Sequence, residues 1–446
     1  MKDSRNWAGS FFTIWTGQAL SLLGSRLAQF ALVWWVTETT GSATVLATAT
    51  LAALLPEVLL GPFAGALVDR WNRRRVMMMA DGCIALLSLW VVYLFWSGSI
   101  QVWHIYLIMV GRSLGGVFHW PAMQSSTSLM VPKEQLARVA GMNQTLFGAM
   151  NVVAPPLGAL LMSLLPLYGV MAIDVVTALM AILPLAFVAI PQPVRVASAA
   201  GAAASPFRSL WADVKEGFRY IWNWKGLLGI CLLAMLLNFF ISPAMQLLPI
   251  LVTRHFEGGA VQLGWLESGW GVGLLLGGLM LAVFGGFKRR VVMGMLGIIG
   301  LGLGVFVVGL TPTQLFPMAI GGLFFGGVMN AICNGSLIAV MQGAVAPEMQ
   351  GRVFTVVSSL CAGMTPVSMA LAGPFADAVG VRSLFIVGGV AQIALGIVGF
   401  FIPAIMRLEE DAQALAQVRE ELEAPLAAPS PAMAALERET VSQAQL

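Results

Sequence analysis

Charge is what this chain has least of. Asp, Glu, Lys and Arg make up 10% of its 446 residues, against about 25% in soluble globular domains. A water-facing surface of that size cannot be built from so few charges, which excludes a large soluble domain. Histidine (3) and cysteine (4) are rarer still. Cys83, Cys231, Cys333 and Cys361 each sit inside an apolar run without metal-ligand spacing, so they read as small packing residues rather than disulfides or ligands. A Walker A phosphate loop, an HExxH pair and a Cys/His cluster are all absent, leaving ATP-driven transport and metal-dependent catalysis without their usual residues. The charge runs are too short for a nucleic-acid arm, and no cofactor is expected.

What fills the chain instead is hydrophobic sequence, 58% of all residues, with a mean hydropathy of +0.85. About 20 apolar residues cross a bilayer. Apolar runs between charged or turn-rich breaks give twelve expected spans, at 11-36, 44-68, 76-97, 103-130, 137-165, 169-190, 226-252, 262-286, 291-310, 314-342, 353-376 and 383-405. The first run, Phe11 to Val36, is too long for a signal-peptide core and has no cleavage pattern after it, so it is expected to stay as a helix. With the N-terminus inside, 20 of the 24 Lys and Arg fall in cytoplasmic segments, Arg254 and Arg382 are external, and Arg26 and Arg112 lie within spans. The positive-inside rule therefore predicts a multi-pass protein of the cytoplasmic membrane with both termini cytoplasmic.

The organisation is six plus six. Residues 1-190 form one expected bundle, 191-225 a cytoplasmic linker, 226-406 a second bundle, and 407-446 a charged cytoplasmic tail. PKEQLARV (132-139) is echoed by PEMQGRV (347-353), and Arg73 and Arg74 by Arg289 and Arg290, at an offset near 215 residues. The halves read as a duplicated unit. Gly273/Gly277 and Gly300/Gly304 are small-xxx-small pairs suited to tight helix packing.

Several residue sets could carry function. Gln18, Ser25 and Gln29 fall within about 40° of one another on a helix and make one polar stripe. Asn143, Phe147, Met150 and Asn151, then Asn238, Ser242, Met245 and Gln246, then Asn330 and Asn334, place neutral polar groups among methionines and aromatics. That mixture suits a large amphipathic ligand held by few hydrogen bonds. The acids within or at the edges of spans are Glu57, Asp81, Asp174 and Glu267. Counting residues from the helix ends puts only Glu57 near the midplane, with Arg26 and Arg112 at similar depth as partners, so Glu57 is the expected proton site. Asp81 is its runner-up by the family resemblance described below, not by depth. Gly111-Arg-Ser-Leu-Gly115 matches the serine-hydrolase elbow, with His104 and His119 in the same span. That elbow requires a strand-to-helix turn, and this pentapeptide sits in a long apolar helix, which argues against an enzyme.

GPFAGALVDRWNRRRV (61-76) interrupts two apolar runs with five charges. Gly65-Ala-Leu-Val-Asp69-Arg70-Trp-Asn72-Arg73-Arg74 resembles the G-x-x-x-D-R-x-G-R-R loop of the major facilitator superfamily, with Asn72 where glycine is usual. TIWTGQALSLLGS (13-25), GPFAGALVDR (61-70) and the GRS, FHWPA and VPKEQL pieces between 111 and 136 resemble its macrolide-efflux type of drug exporter. The resemblance implies an all-α membrane fold, with twelve transmembrane helices in two pseudo-symmetric six-helix bundles. It also implies export of amphipathic, macrolide-like drugs, driven by the proton gradient and working by alternating access. An uptake symporter or a siderophore exporter on the same fold remains the alternative. Whether a separate ATP-binding partner protein assists stays open.

By the same resemblance Asp69 latches the second span to the eleventh, near Arg352. Gly65 would allow close helix approach, with Arg70, Arg73 and Arg74 among anionic headgroups. Arg112 and Gly116 match the fourth-span R-x-x-x-G motif, which implies proton coupling or substrate contact for Arg112. Ala154-Pro155-Pro156-Leu157-Gly158 partly matches the fifth-span antiporter motif, implying a bend at Pro155 and Gly158 between the halves.

Overall fold

The computed structural model describes residues 7-68, 71-188, 190, 206-285 and 289-414. Among them there is no strand; fifteen α-helices carry almost all of these residues. In hydrocarbon, backbone N-H and C=O groups must be satisfied within the segment, so long apolar runs become helices. The first half comprises α1 (Trp7–Thr40), α2 (Ala43–Val68), α3 (Arg73–Trp96), α4 (Val102–Met130), α5 (Leu136–Leu164) and α6 (Leu167–Phe187). After α7 (Pro206–Asn223), the second half comprises α8 (Lys225–Gln246), short α9 (Leu248–Arg254), α10 (Ala260–Phe284), α11 (Arg290–Leu310), α12 (Phe316–Ala344), α13 (Pro347–Val379), α14 (Val381–Phe401) and α15 (Pro403–Met406). Eleven of these helices are long and apolar enough to cross a membrane. The remaining expected span, α4, is 29 residues long but is diluted by Arg112, His104 and His119.

The packing repeats between halves. In the first, α1 meets α5 and α6, α2 meets α4, and α3 meets α4 and α6. In the second, α8 meets α13 and α14, α10 meets α12, and α11 meets α12 and α14. Shifting each helix by six spans turns one set into the other. The two bundles join through α5 with α10 and α2 with α13, again a matched pair. Glycine sets the approach in the second half: a Cβ at Gly273 or Gly277 would strike the backbone of α12 at Phe324 or Val328.

Two expectations are revised here. The seventh span is broken after Gln246, because Pro249 removes a donor and crowds the carbonyl four residues back, and Leu247 leaves helical geometry at φ −97°, ψ 10°. The segment taken as a linker contains α7, which packs against α8 and α13. Of the charged tail, residues 408-414 continue as helix and the rest lies outside the described residues.

We call the side on which α1 begins the proximal face and the other the distal face. At the distal face the halves are clamped. The Asp377 carboxylate near the end of α13 accepts hydrogen bonds from the backbone N-H of Ala43 (3.0 Å) and Thr44 (2.8 Å) and from the Ser42 hydroxyl (2.9 Å). Arg254 at the end of α9 lies 3.0 Å from the same carboxylate. One acid from the second half thereby caps the first turn of α2 and meets its exposed N-H groups. Beside it, Gly373 packs on Thr44 and Ala47.

Among the described residues no matching contact joins the proximal ends of α2 and α13. Gly65 faces open space, so it does not bring two helices together as expected. Asp69 and Arg70 lie outside the described residues. Arg73 is buried and donates to the Ser125 carbonyl at 3.1 Å, while Arg74 donates to the carbonyls of Leu185 and Ala186. These two arginines therefore tie down the C-terminal ends of α4 and α6, where cations favour the helix dipole, instead of sitting among headgroups. α5 runs through Pro155 and Pro156 as one helix. The carbonyl of Pro155 packs against Gly264 of α10, between the halves, whereas Gly158 packs on Phe30 of α1, within its own half.

Candidate transport cavity

Between the bundles lies a cavity of about 720 Å³. Its wall comes almost entirely from the first half, with Gln246, beside the break between α8 and α9, as the contribution of the second. Gln18, Ser25 and Gln29 all face it, as the single stripe on α1 predicts, together with Arg26, Glu57, Asp81, Arg112, Asn143 and Phe147. Asn151, Asn238, Asn330 and Asn334 are not part of the wall. The last two bond to each other at 2.8 Å, and Asn238 donates to the Ala234 carbonyl at 2.9 Å. Aromatic surface is supplied by Trp120, set edge-on to Phe147 with ring centres 5.0 Å apart. Asn143 is oriented by the Trp15 indole N-H at 2.8 Å.

Two buried acids anchor the wall. Asp174 of α6, fully buried, forms an ion pair with Arg112 of α4. It also accepts from the Ser25 hydroxyl of α1 at 3.0 Å and the Ser88 hydroxyl of α3 at 2.6 Å. Ser88 in turn accepts from Arg112 at 2.6 Å. Four helices thus meet at one carboxylate whose charge is balanced on the spot. Toward the proximal end, Asp81 of α3 is held by the Gln18 side-chain amide at 3.0 Å and faces His119 of α4, whose Nε2 lies 3.2 Å away without an aligned hydrogen bond. Asp81 and His119 are titratable groups in contact, both lining the cavity.

This arrangement corrects the expected ion pair at the midplane. Glu57 lines the cavity but is exposed, and neither Arg26 nor Arg112 forms an ion pair with it. Arg112 is committed to Asp174. Depth along a helix carries no azimuth, and azimuth decides who pairs. His119 was legible only as part of a false hydrolase motif. Yet it lies seven residues beyond Arg112, two turns along the same face of α4. In that pentapeptide Gly111 and Gly115 pack on Leu87 and Ile84, and the ring of His104 accepts from the backbone N-H of Gln101 at 3.0 Å, closing the start of α4.

The profile of the Major Facilitator Superfamily matches residues 14-365. The chain belongs to the Major Facilitator Superfamily. Among its superfamily relatives, Macrolide efflux protein A of Streptococcus pyogenes is 33% identical over 409 residues, covering 92% of this chain and 100% of the relative. The multidrug efflux pump Tap of Mycolicibacterium fortuitum is 26% identical over 401 residues, covering 86% of this chain and 94% of its own. A solved superfamily structure, that of a bacterial homologue of the human lysosomal transporter Spinster in an inward-facing and unoccupied conformation, superposes with a TM-score of 0.64 at 14% identity, covering 93% of this chain and 98% of that one. The likeness to that structure extends to the fold. It agrees with the matched pair of bundles.

Proposed function

We propose that this superfamily member exports large amphipathic drugs of the macrolide kind, coupled to proton entry by alternating access. The observation that carries the reading is full-length similarity to Macrolide efflux protein A at 33% identity. The cavity supports it: about 720 Å³ walled by aromatic and aliphatic surface, with a few amides and the ionisable Arg26, Glu57, Asp81, Arg112 and His119, suits a large amphipathic ligand anchored at few points. The proximal face is then cytoplasmic, which agrees with Arg73, Arg74, Arg75, Arg289 and Arg290 at that face against Arg254 and Arg382 at the other. The closed distal clamp corresponds to a state shut toward the outside.

For coupling we favour the Asp81 and His119 pair over Glu57. A proton shared between a carboxylate and an imidazole changes the charge of the cavity wall, and Gln18 carries that change to α1. The Arg112 and Asp174 pair is internally neutral and serves to hold the helices that present this switch.

The test uses everted membrane vesicles given radiolabelled erythromycin, with a proton gradient imposed. Uptake should collapse with a protonophore. Asp81→Asn should lower uptake at least tenfold while leaving equilibrium drug binding within about threefold, as expected for loss of a driving force rather than of a contact. Glu57→Gln should transport at close to the parental rate. Failure of Glu57→Gln with normal transport by Asp81→Asn would return the coupling role to Glu57.

A further inference from the structure

α7 has two faces with opposite commitments. On one, Gly217 packs against the backbone of Arg352 in the first turns of α13, Ile221 is buried, and the Tyr220 hydroxyl approaches the backbone N-H of Ala346 at 3.4 Å. Arg352 forms two ion pairs with this helix, at 2.9 Å to Asp213 and 2.8 Å to Glu216. On the other face Trp211 is 66% exposed, Phe218 45% and Trp222 62%, and the last two rings stack with centres 5.8 Å apart. At about 100° per residue these three lie within roughly 40° of one another, with Lys215 about 20° beyond Trp222 and Arg219 about 60° beyond it. Both cations are exposed. α7 is followed directly by α8, which begins at Lys225 and crosses the membrane, so the aromatic stripe stands at the level where the spans end.

An exposed aromatic stripe with cations along one edge, at the rim of a bilayer, matches one surface: the boundary between acyl chains and anionic headgroups. A cytoplasmic protein partner would not require the rings to sit at membrane level. We propose that α7 docks on anionic phospholipid of the adjoining leaflet, through Trp211, Phe218 and Trp222 in the acyl boundary and Lys215 and Arg219 on the headgroups. Through Arg352 this contact anchors the proximal end of α13, the helix whose distal end carries Asp377. Anionic lipid then holds one end of a helix that must tilt for the halves to exchange access. Only this last consequence rests on the alternating-access reading; the docking itself does not.

The full-length protein is placed in nanodiscs of phosphatidylcholine alone or with a quarter phosphatidylglycerol, with Cys83→Ser removing the exposed native thiol. A fluorophore is attached at Trp222→Cys, and quenching by lipids carrying a nitroxide just below the headgroup is measured. Quenching should at least double when phosphatidylglycerol is present, and should lose that gain at high salt or with Lys215→Gln and Arg219→Gln together. Amide hydrogen exchange at 347-353 should slow at least threefold in the same lipid, and not in the double variant. A fluorophore that stays aqueous in both lipids, as it would with a protein partner absent from the nanodisc, overturns the proposal. So does quenching indifferent to phosphatidylglycerol or to the two cations, or exchange that does not follow it. No drug is used, so a failure of the export reading leaves these results interpretable.

Discussion

Asp174→Ala is expected to cost about 3-5 kcal/mol of folded stability, the range for leaving the partner of a buried ion pair uncompensated. The substitution strands Arg112, whose side chain is 9% exposed, and frees the hydroxyls of Ser25 and Ser88 from their common acceptor. Three helices lose their shared attachment to α6 at one point. A melt of the purified protein in mild detergent, read by circular dichroism beside urea titration, checks the size. Arg112→Met in the same chain should recover more than half of the loss, because it removes the orphaned charge instead of the pair's attraction. A loss below about 1 kcal/mol, or no recovery in the double variant, would mean that water reaches the guanidinium and that the cluster is not the structural centre described above.

Asp377→Ala should release the distal face. The carboxylate caps two backbone N-H groups of α2 and the Ser42 hydroxyl, and such caps contribute about 0.5-2 kcal/mol. The contact with Arg254 adds little, since both side chains are partly solvated at 41% and 27% exposure. At about 1.4 kcal/mol per factor of ten, the loss displaces the closed-to-open balance roughly 2- to 30-fold. Ala47→Cys places a thiol where Gly373 now covers it. In intact cells its reaction with a membrane-impermeant maleimide should rise by a similar factor when Asp377→Ala is added. Unchanged labelling would show that the apolar contacts of α2 with α13 close the face without the acid.

The sequence made the helices legible because each run is long, apolar and bounded by charges or turns; the six-plus-six division followed from the long stretch at 191-225, and the likeness of the halves from the offset near 215 residues. It also put Gln18, Ser25 and Gln29 on one face, a result of simple helical phase within a single helix. Relations between helices were out of reach. Asp174 was set aside as shallow among the four acids, since nothing within α6 says that Arg112 of α4 points at it. Asn330 and Asn334 are one turn apart and looked like a paired ligand site, yet one turn is also the spacing at which two amides satisfy each other. Asp377 lies just past the expected end of the eleventh span, and only the fold brings a residue 334 positions away in sequence beneath it. α7 fell in a stretch read by its composition of Ala, Ser and Pro, although its second part carries a strongly two-faced pattern.

The matched interfaces, α5 with α10 and α2 with α13, have a historical consequence. Two identical six-helix chains joined this way would form a two-fold homodimer, in which every substitution at the seam appears twice and the cavity must have equal walls. Joining the genes removes that restraint. At the offset near 215, the positions matching Arg112 and Asp174 are Gly327 and Gly389, which lie against the backbones of α10 and α11. At these matched positions one half holds buried charge and the other packs by the absence of side chains, a division of labour closed to a symmetric pair.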